Sequence, residues 1–202
     1  MKISVLVFDL GKVLVDFDYS IAARKIVPLC APQTDPTKFF SDHAALLTSY
    51  ELGMLTAVEF FNQIKTVSGF SGTQAEFNGF FADIFTPIQP MIDLQNELKK
   101  TNLPIYVFSN TNDLAVEHIR NRFPFFSDFD GYVLSYEHRA MKPAAKLYEV
   151  VERATGRRGE EIVYIDDRPE NIQAGIARGW RGILHESTDA TREALQKFGL
   201  PV

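Results

Sequence analysis

The sequence has little of several residue types on which small proteins often depend for stability or chemistry. It contains one cysteine, Cys30, and four scattered histidines among its 202 residues. A single cysteine excludes an internal disulfide framework and a cysteine-rich zinc site, and it is typical of a protein from a reducing compartment. The histidines form no pair at the i, i+3 or i, i+4 spacing of helical metal ligands, so the sequence offers no histidine metal-binding motif.

The chain also lacks a positive net charge and long apolar runs. Its formal net charge of −5 gives no electrostatic reason to expect nucleic acid or an anionic membrane as a partner. The first apolar run, residues 5–8, stops at Asp9 and is too short for a signal peptide or a membrane span. With 46% hydrophobic and 23% charged residues, we expect a cytoplasmic globular protein of one domain, or one domain with an insertion.

Short apolar runs that end at once in polar residues predict buried parallel strands. The clearest are residues 3–8, 105–108 and 161–165, and weaker candidates are residues 131–134 and 182–184. Amphipathic helical patterns lie between them, at residues 91–100, 144–155 and 171–177. This alternation predicts an α/β fold, a Rossmann-like parallel sheet with helices on both faces. Functional residues of such folds gather at the carboxyl ends of the strands.

Residues 16–90 interrupt the alternation and contain no convincing strand. They hold more than half of the 17 phenylalanines, and Thr56 and Glu59 form a capping box that opens a helix. A second apolar stripe follows helical spacing: Phe77, Phe80, Phe81, Ile84 and Phe85. We therefore predict an all-helical cap at residues 16–90, called the helical insert below, within a core of residues 1–15 and 91–202. We interpret its phenylalanines as packing residues, and its surface is a candidate for homodimer contact.

Four short stretches carry the chemistry: residues 7–14, 107–112, 141–143 and 165–171. Each alone has an ordinary structural explanation, because carboxylates often end strands, Lys-Pro often opens a helix, and Asp-Asp before proline is typical of a solvent-exposed turn. Together they place carboxylates, the Ser109–Asn110 pair and the Lys142 ammonium at strand ends. Two carboxylates suit Mg²⁺, which prefers oxygen ligands, and the hydroxyl, amide and ammonium suit phosphate oxygens. The set predicts phosphoryl transfer to a carboxylate.

In this order, the four stretches resemble those of the haloacid dehalogenase superfamily, in the subgroup with a helical cap after the first strand. The chain is similar in particular to the α-D-glucose-1-phosphate phosphatases, which share the Asp-Leu-Gly opening, the Ser-Asn-Thr-Asn stretch and the Asp-Asp pair. The resemblance covers essentially the whole chain, although the helical insert matches only by position and helicity. It implies a Mg²⁺-dependent phosphatase of small phosphorylated metabolites, with sugar phosphates such as a sugar 1-phosphate favoured.

The resemblance also implies a role for each motif residue. Asp9 would be the nucleophile that becomes aspartyl-phosphate. Ser109 and Asn110 would hold the transferring phosphoryl group, and Lys142 would neutralise its charge and that of Asp9. Phosphoryl transfer depends mostly on such positioning and charge neutralisation.

The same resemblance implies a metal site. Mg²⁺ would be held by the carboxylates of Asp9 and Asp167 and by the backbone carbonyl of Gly11. Family members usually have Gly-Asp where this chain has Asp166-Asp167, so we align the metal ligand with Asp167 and expect Asp166 to be an outer hydrogen-bond acceptor or an alternative ligand. Asn171 stands where family members commonly have a further carboxylate. The residues that surround the metal ligands therefore carry one negative charge fewer in this chain.

Gly11 departs from the family pattern. Most phosphatases of the superfamily have an aspartate there, which acts as general acid on the leaving oxygen and then as base on water. General acid–base catalysis typically contributes about 10²–10⁴-fold. Three explanations stay open: Asp16 or Asp18 supplies the proton, the leaving group needs none, or the protein binds phosphate compounds without turning them over.

Two other functions follow from these alternatives. A 2-haloacid dehalogenase needs no metal but requires a cationic cradle for halide, and the cations between residues 16 and 90 are Arg24, Lys25, Lys38 and Lys65. The aspartate pair would have no use in such an enzyme. A catalytically weak, phosphate-binding regulatory protein is the other alternative, which Gly11 suggests.

Overall fold

The chain folds around a five-stranded parallel sheet in the computed structural model, which describes residues 2–202. The strands are β1 (Val5–Phe8), β2 (Val15–Phe17), β3 (Phe85–Pro87), β4 (Ile105–Ser109), β5 (Gly131–Leu134), β6 (Ile162–Asp166) and β7 (Arg181–Leu184). The sheet order is β5-β4-β1-β6-β7, and β2 pairs with β3 in a separate antiparallel ribbon. The predicted parallel sheet is confirmed, and each predicted strand lies within two residues of its observed bounds at either end.

Helices α1 to α10 lie between these strands, and α11 follows β7. They are α1 (Tyr19–Ile26), α2 (Phe39–Asp42), α3 (Ala44–Glu51), α4 (Ala57–Ser68), α5 (Gln74–Ala82), α6 (Gln89–Lys99), α7 (Asp113–Arg122), α8 (Ser135–His138), α9 (Ala145–Thr155), α10 (Pro169–Ile176) and α11 (Thr188–Lys197). None of the helices described for residues 2–202 has the length and hydropathy that a bilayer crossing requires.

Every residue of β1 is buried, and successive side chains of a strand point to opposite faces. Both faces of the sheet are therefore covered. Leu6 and Phe8 join one apolar cluster, which includes residues of α6, α7 and α11. Val5 and Val7 join a second cluster, which includes residues of α9 and α10. The predicted layering, with helices on both faces, is therefore confirmed.

Helices α1 to α5 pack around an apolar cluster of their own. Among its members, six phenylalanines are at most 6% exposed: Phe39, Phe60, Phe61, Phe70, Phe77 and Phe81. They form the interior of the helical insert, as the packing interpretation predicts, and so they offer no surface to a second copy. The capping box of Thr56 and Glu59 opens α4 as predicted, and Thr73 and Glu76 form a second one at α5.

The exit from the helical insert differs from the sequence prediction. Helix α5 ends at Ala82, so Ile84 and Phe85 lie beyond it, although their spacing continues the helical stripe. Phe85 belongs to β3, which pairs with β2 so that Val15 lies opposite Pro87. The expectation that residues 16–90 lack a strand is therefore wrong at both ends. Short three-residue strands give too weak a pattern to detect, and only their pairing stabilises them. The domain boundaries at residues 15/16 and 90/91 stay a prediction.

Candidate active site

Three adjacent strands bring the polar motifs to one edge of the sheet. β1 lies between β4 and β6, so Asp9 follows β1 beside Ser109, the last residue of β4, and Asp166, the last residue of β6. These ends open on a cavity of about 500 Å³, called the cleft below. Its lining includes Asp9, Gly11, Ser109, Asn110, Lys142, Asp167 and Asn171 from the predicted set. Residues from four distant stretches of the sequence therefore meet at one place.

Lys142 lies at the centre of the charged groups. Its Nζ is 2.9 Å from Asp9 Oδ1 and 2.6 Å from Asp166 Oδ2, and it donates to the Phe108 carbonyl at 2.9 Å. The Lys142 side chain is 1% exposed, so these interactions are shielded from water. Burial opposes its charge, but the carboxylates of Asp9 and Asp166 together raise the pKa of Lys142. Lys142 is therefore held as a cation between two acids.

Asp9 is buried at the floor of the cleft. Its Oδ1 accepts a hydrogen bond from the Leu10 N–H at 2.7 Å, in addition to its contact with Lys142. Burial raises the pKa of Asp9 to about 7, against the opposing attraction of Lys142. A further positive charge beside this carboxyl group would favour its ionised form.

Asp166 is fully enclosed by hydrogen-bond donors. It accepts from Lys142 Nζ, from the Tyr164 hydroxyl, from the Arg168 N–H at 2.8 Å and from Asn171 Nδ2 at 3.0 Å. Burial opposes its ionisation, yet Lys142 and these donors hold the pKa of Asp166 below its ordinary value. Asp166 is therefore a hydrogen-bond acceptor, the first of the two roles that we expect from the sequence. Because both of its oxygens accept hydrogen bonds, it has little capacity for the second role, that of an alternative metal ligand. Asn171, in the same network, contributes an amide donor to it.

Asp167 has a different environment from its neighbour. It is half-buried and lines the cleft, and burial, followed by the charge of Asp166, raises the pKa of Asp167. One carboxylate oxygen from each of Asp9, Asp166 and Asp167 lies within 4.8 Å of the others. Because donors enclose Asp166, Asp9 and Asp167 are the carboxylates of this group that fit a divalent cation, which prefers oxygen ligands.

Asn110 lines the cleft and also binds the backbone of Lys142, and its predicted contact with the phosphoryl group stays a prediction. Its side-chain Oδ1 accepts from the Lys142 N–H at 2.7 Å, and its Nδ2 donates to the Lys142 carbonyl at 3.1 Å. The amide thus holds the lysine segment against the end of β4. The Ser109 hydroxyl has only a long 3.4 Å contact, with the Asn110 carbonyl. Both side chains line the cleft, and the Ser109 hydroxyl and the second N–H of Asn110 Nδ2 stay available to a bound anion.

The two candidate replacements for the missing acid lie away from the cleft. Asp16 is exposed and pairs with Lys12, and this hydrogen bond lowers the pKa of Asp16. Asp18 caps α1 by accepting from Ser20 N–H at 2.8 Å and from the Ser20 hydroxyl, which lowers the pKa of Asp18. Neither aspartate lines the cleft. The expectation that one of them substitutes for an acid at position 11 is not supported by this placement.

The structure adds four residues of the helical insert that sequence reasoning missed. The cleft is also lined by Phe17 of β2, Tyr19 of α1, and Leu47 and Glu51 of α3. These residues belong to no motif, and their neighbours in sequence show no pattern that distinguishes cleft from core. Only the packing of the helical insert against the sheet brings them to the cleft.

Relatives of known activity match nearly the whole chain. A D-ribitol-5-phosphate phosphatase of Bacteroides thetaiotaomicron is 25% identical over 94% of this chain and 95% of its own length. The sesquiterpene phosphatase AstK of Aspergillus oryzae is 24% identical over 96% of this chain and 95% of its own. Both relatives are phosphatases by name, and their named substrates differ widely.

Solved structures share the fold. A haloacid dehalogenase-family enzyme of Bacteroides thetaiotaomicron superposes with a TM-score of 0.80 at 24% identity, over 91% of this chain and 93% of that one. A complex of that enzyme with magnesium and inorganic phosphate gives a TM-score of 0.73 at 22% identity, over 90% of this chain and 93% of that one.

A family model for haloacid dehalogenase-like hydrolases matches residues 3–179. This range includes all four motif stretches and the helical insert. The chain belongs to the haloacid dehalogenase-like hydrolases.

Proposed function

We propose that the protein is a Mg²⁺-dependent phosphatase that hydrolyses a small phosphorylated metabolite through an aspartyl-phosphate on Asp9. The observation that carries the proposal is the position of Asp9 in the cleft, beside Lys142 and within 4.8 Å of further carboxylate oxygens. The two phosphatase relatives and the magnesium–phosphate complex of the structural neighbour support it.

The chain's own residues account for binding and attack. Oδ1 of Asp9 is engaged by Leu10 and Lys142, which leaves Oδ2 to attack phosphorus. The Ser109 hydroxyl donates to a phosphoryl oxygen, and Lys142 offsets the charge of the nucleophile and the phosphoryl group. Attack forms the bond from Asp9 to phosphorus and breaks the bond from phosphorus to the leaving oxygen. Water then cleaves the aspartyl-phosphate and restores Asp9.

The charges of the cleft favour a divalent cation. Asp9, Asp166 and Asp167 contribute three carboxyl groups against the single ammonium of Lys142. A phosphate dianion would add to this negative charge, and repulsion in a partly dry site costs several kcal/mol. We propose that Asp9, Asp167 and the Gly11 carbonyl hold Mg²⁺. The ion would supply positive charge to the phosphoryl oxygens and to Asp9.

Sugar phosphates are the substrate class that we propose, with sugar 1-phosphates as first candidates. The anomeric oxygen of a sugar 1-phosphate leaves more readily than a primary alcohol, so these substrates need the least help from a proton donor, and position 11 supplies none. The named substrate of the ribitol-5-phosphate relative widens the candidates to polyol phosphates. Leu47 and Tyr19, on the wall formed by the helical insert, would contact the part of the substrate beyond the phosphate.

A substrate screen tests the proposal directly. Phosphate release from sugar 1-phosphates, sugar 6-phosphates, polyol phosphates and prenyl phosphates is measured with Mg²⁺ and with a chelator, beside halide release from 2-chloropropionate. We expect Mg²⁺-dependent phosphate release and no halide. Halide release, or metal-independent turnover, would refute the proposal, and binding of phosphate compounds without turnover would favour the regulatory alternative.

A further inference from the structure

The position that the family uses for its general acid is blocked by an aromatic ring. A Cβ atom built on Gly11 would lie 2.9 Å from Cε1 of Phe17, closer than real Cβ atoms approach other heavy atoms. The Phe17 ring is itself held by an edge contact with Tyr19, with centroids 5.7 Å apart, and by the Lys12 ammonium, 4.7 Å above its centroid. A carboxyl group therefore cannot enter from position 11 without moving this cluster, so a proton for the leaving oxygen must come from another element.

Glu51, the last residue of α3, is a carboxylic acid that the helical insert contributes to the lining of the cleft. It lines the cleft together with Asp9, and it also lines an adjoining cavity of about 50 Å³ beside Gly11 and Ser109. Within residues 2–202, no hydrogen bond or ion pair engages the Glu51 side chain. The nucleophile, the phosphate-binding hydroxyl and this acid thus surround connected space.

The backbone of Glu51 is fixed to the core beside the phosphate-binding loop. The buried Ser135 hydroxyl donates to the Glu51 carbonyl at 2.6 Å and accepts from the Thr111 N–H at 2.9 Å. The preceding residue, Tyr50, donates its hydroxyl to Asp113 at the start of α7. Thr111 directly follows the motif residues Ser109 and Asn110, and Asp113 lies two positions further on. This end of α3 is therefore anchored to the segment that would hold the phosphoryl group as well as to the core of the helical insert, where Tyr50 stacks on Phe60.

The surroundings of Glu51 favour a protonated carboxyl group near neutral pH. Burial raises the pKa of Glu51 to about 7, and Tyr19, which also lines the cleft, is a neutral phenol whose own pKa is raised by burial and by Glu51. An acid poised near the working pH is effective both as donor and as acceptor of protons. The other charged or titratable groups that line the cleft are Asp9, Lys12, Lys142, Asp167 and Arg168.

We propose that Glu51 is the general acid and base of this enzyme, in place of the carboxyl group absent at Gly11. The inference rests on the proposed phosphatase function. In the first half-reaction, the bond from phosphorus to the leaving oxygen breaks, and the Glu51 proton passes to that oxygen to give a neutral alcohol. In the second, the Glu51 carboxylate takes a proton from water as the water oxygen bonds to phosphorus and the Asp9–phosphorus bond breaks. The carboxyl group ends protonated and Asp9 ends as a free carboxylate.

The test compares wild-type protein with Glu51→Gln over a series of aryl and alkyl phosphates of graded leaving-group basicity. The phosphorylation step is followed in single-turnover experiments with Mg²⁺. We expect a shallow dependence on leaving-group basicity for wild type and a steep one for the variant. Loss of a general acid should lower the rate of phosphoryl transfer from alkyl phosphates about 10²–10⁴-fold. The rate with aryl phosphates that have good leaving groups should change little. With those aryl substrates, the variant should show a burst of phenol, because hydrolysis of the aspartyl-phosphate slows.

Two further variants separate catalysis from structure. Glu193→Gln, at an exposed position of α11, is the matched control and should keep the wild-type dependence. Glu51→Asp keeps a carboxyl group on a side chain one methylene shorter and should restore part of the shallow dependence. Thermal unfolding of each variant establishes that it is folded at the assay temperature.

The outcomes distinguish this inference from the proposed function. If wild-type protein hydrolyses no phosphate monoester, the proposed function fails and Glu51 has no acid role to play. If wild type is active but Glu51→Gln has the same dependence on leaving-group basicity, the phosphatase proposal stands and the Glu51 inference is wrong. A rise in KM alone, with that dependence unchanged, would also overturn it, since Glu51 would then only bind substrate.

Discussion

Substitution of aspartate by asparagine should have different consequences at the adjacent residues Asp166 and Asp167. At Asp166 it should lower the stability of the fold, and at Asp167 it should abolish the response to Mg²⁺. Asp166 is completely buried and accepts from Lys142, Tyr164, the Arg168 N–H and Asn171. Asp166→Asn keeps the shape but replaces one acceptor oxygen by an NH₂ group, which would face donors. Lys142 would keep Asp9 as its single carboxylate partner.

The magnitude follows from that burial. Breaking one side of a buried ion pair costs about 3–5 kcal/mol, and because Asp9 still pairs with Lys142 we expect about 3 kcal/mol for Asp166→Asn. For a chain of 202 residues, this corresponds to a melting temperature lower by roughly 6–12 °C.

Asp167→Asn should not destabilise the fold. Burial and the charge of Asp166 raise the pKa of Asp167 in the folded state. When a carboxyl group has a raised pKa in the folded state, the fold loses stability as pH rises from the unfolded-state pKa of that group through its folded-state pKa. The ionised form of Asp167 therefore opposes folding at neutral pH. Removing that charge should leave the melting temperature unchanged or slightly higher. The same substitution should abolish the response to Mg²⁺, since it removes a proposed ligand.

Two measurements on each variant test this reasoning: thermal unfolding in metal-free buffer, and phosphatase activity as a function of Mg²⁺ concentration. Asp166→Asn should be less stable yet still respond to Mg²⁺ with weakened affinity, about 10–100-fold for a residue that positions the site without binding the ion. Equal destabilisation by the two variants would refute the burial argument. A greater loss of Mg²⁺ response in Asp166→Asn would show that the ligand assignment is displaced by one residue.

Three other predictions concern the nucleophile, the wall of the cleft and pH. Asp9→Asn should retain its circular dichroism spectrum but release no phosphate, because an amide cannot form an acyl phosphate; more than a few per cent of wild-type activity would exclude Asp9 as nucleophile. Leu47→Ala should raise KM for sugar phosphates and leave hydrolysis of a small aryl phosphate unchanged, and equal losses on both substrates would indicate a purely structural role. Glu51→Gln should stabilise the protein more at pH 8 than at pH 5 in urea unfolding. Burial raises the folded-state pKa of Glu51 to about 7, so its ionisation destabilises the fold as pH rises from the unfolded-state pKa through that value.

Much of the core could be predicted from the sequence because its signals are local. Buried parallel strands need continuous apolar runs such as residues 5–8, and helices that cover a sheet need apolar periodicity. Asp9, Ser109 and Asp166 end or directly follow such runs. Parallel strands bring their carboxyl ends to one edge, so the meeting of these residues also follows from the pattern.

Tertiary structure alone decided the remaining features of the cleft. The sequence left Asp166 and Asp167 open as alternatives, and only three-dimensional packing shows that donors enclose Asp166 while Asp167 borders the cleft. Similarly, the Asn110 amide carries the same chemistry whether it binds phosphate or the Lys142 backbone, and its partner is fixed by a contact between residues 32 positions apart.

The proposed general acid, which involves residues 11 and 51, also could not be predicted from the sequence alone. The absence of a carboxyl group at Gly11 is visible in the sequence, but the Phe17 ring beside it belongs to β2, whose position depends on its pairing with β3. Glu51 reaches the cleft because Ser135 anchors the end of α3 across 84 positions of sequence. Local patterns record which face of an element is apolar, whereas such long-range contacts depend on how whole elements pack, and no local pattern encodes that.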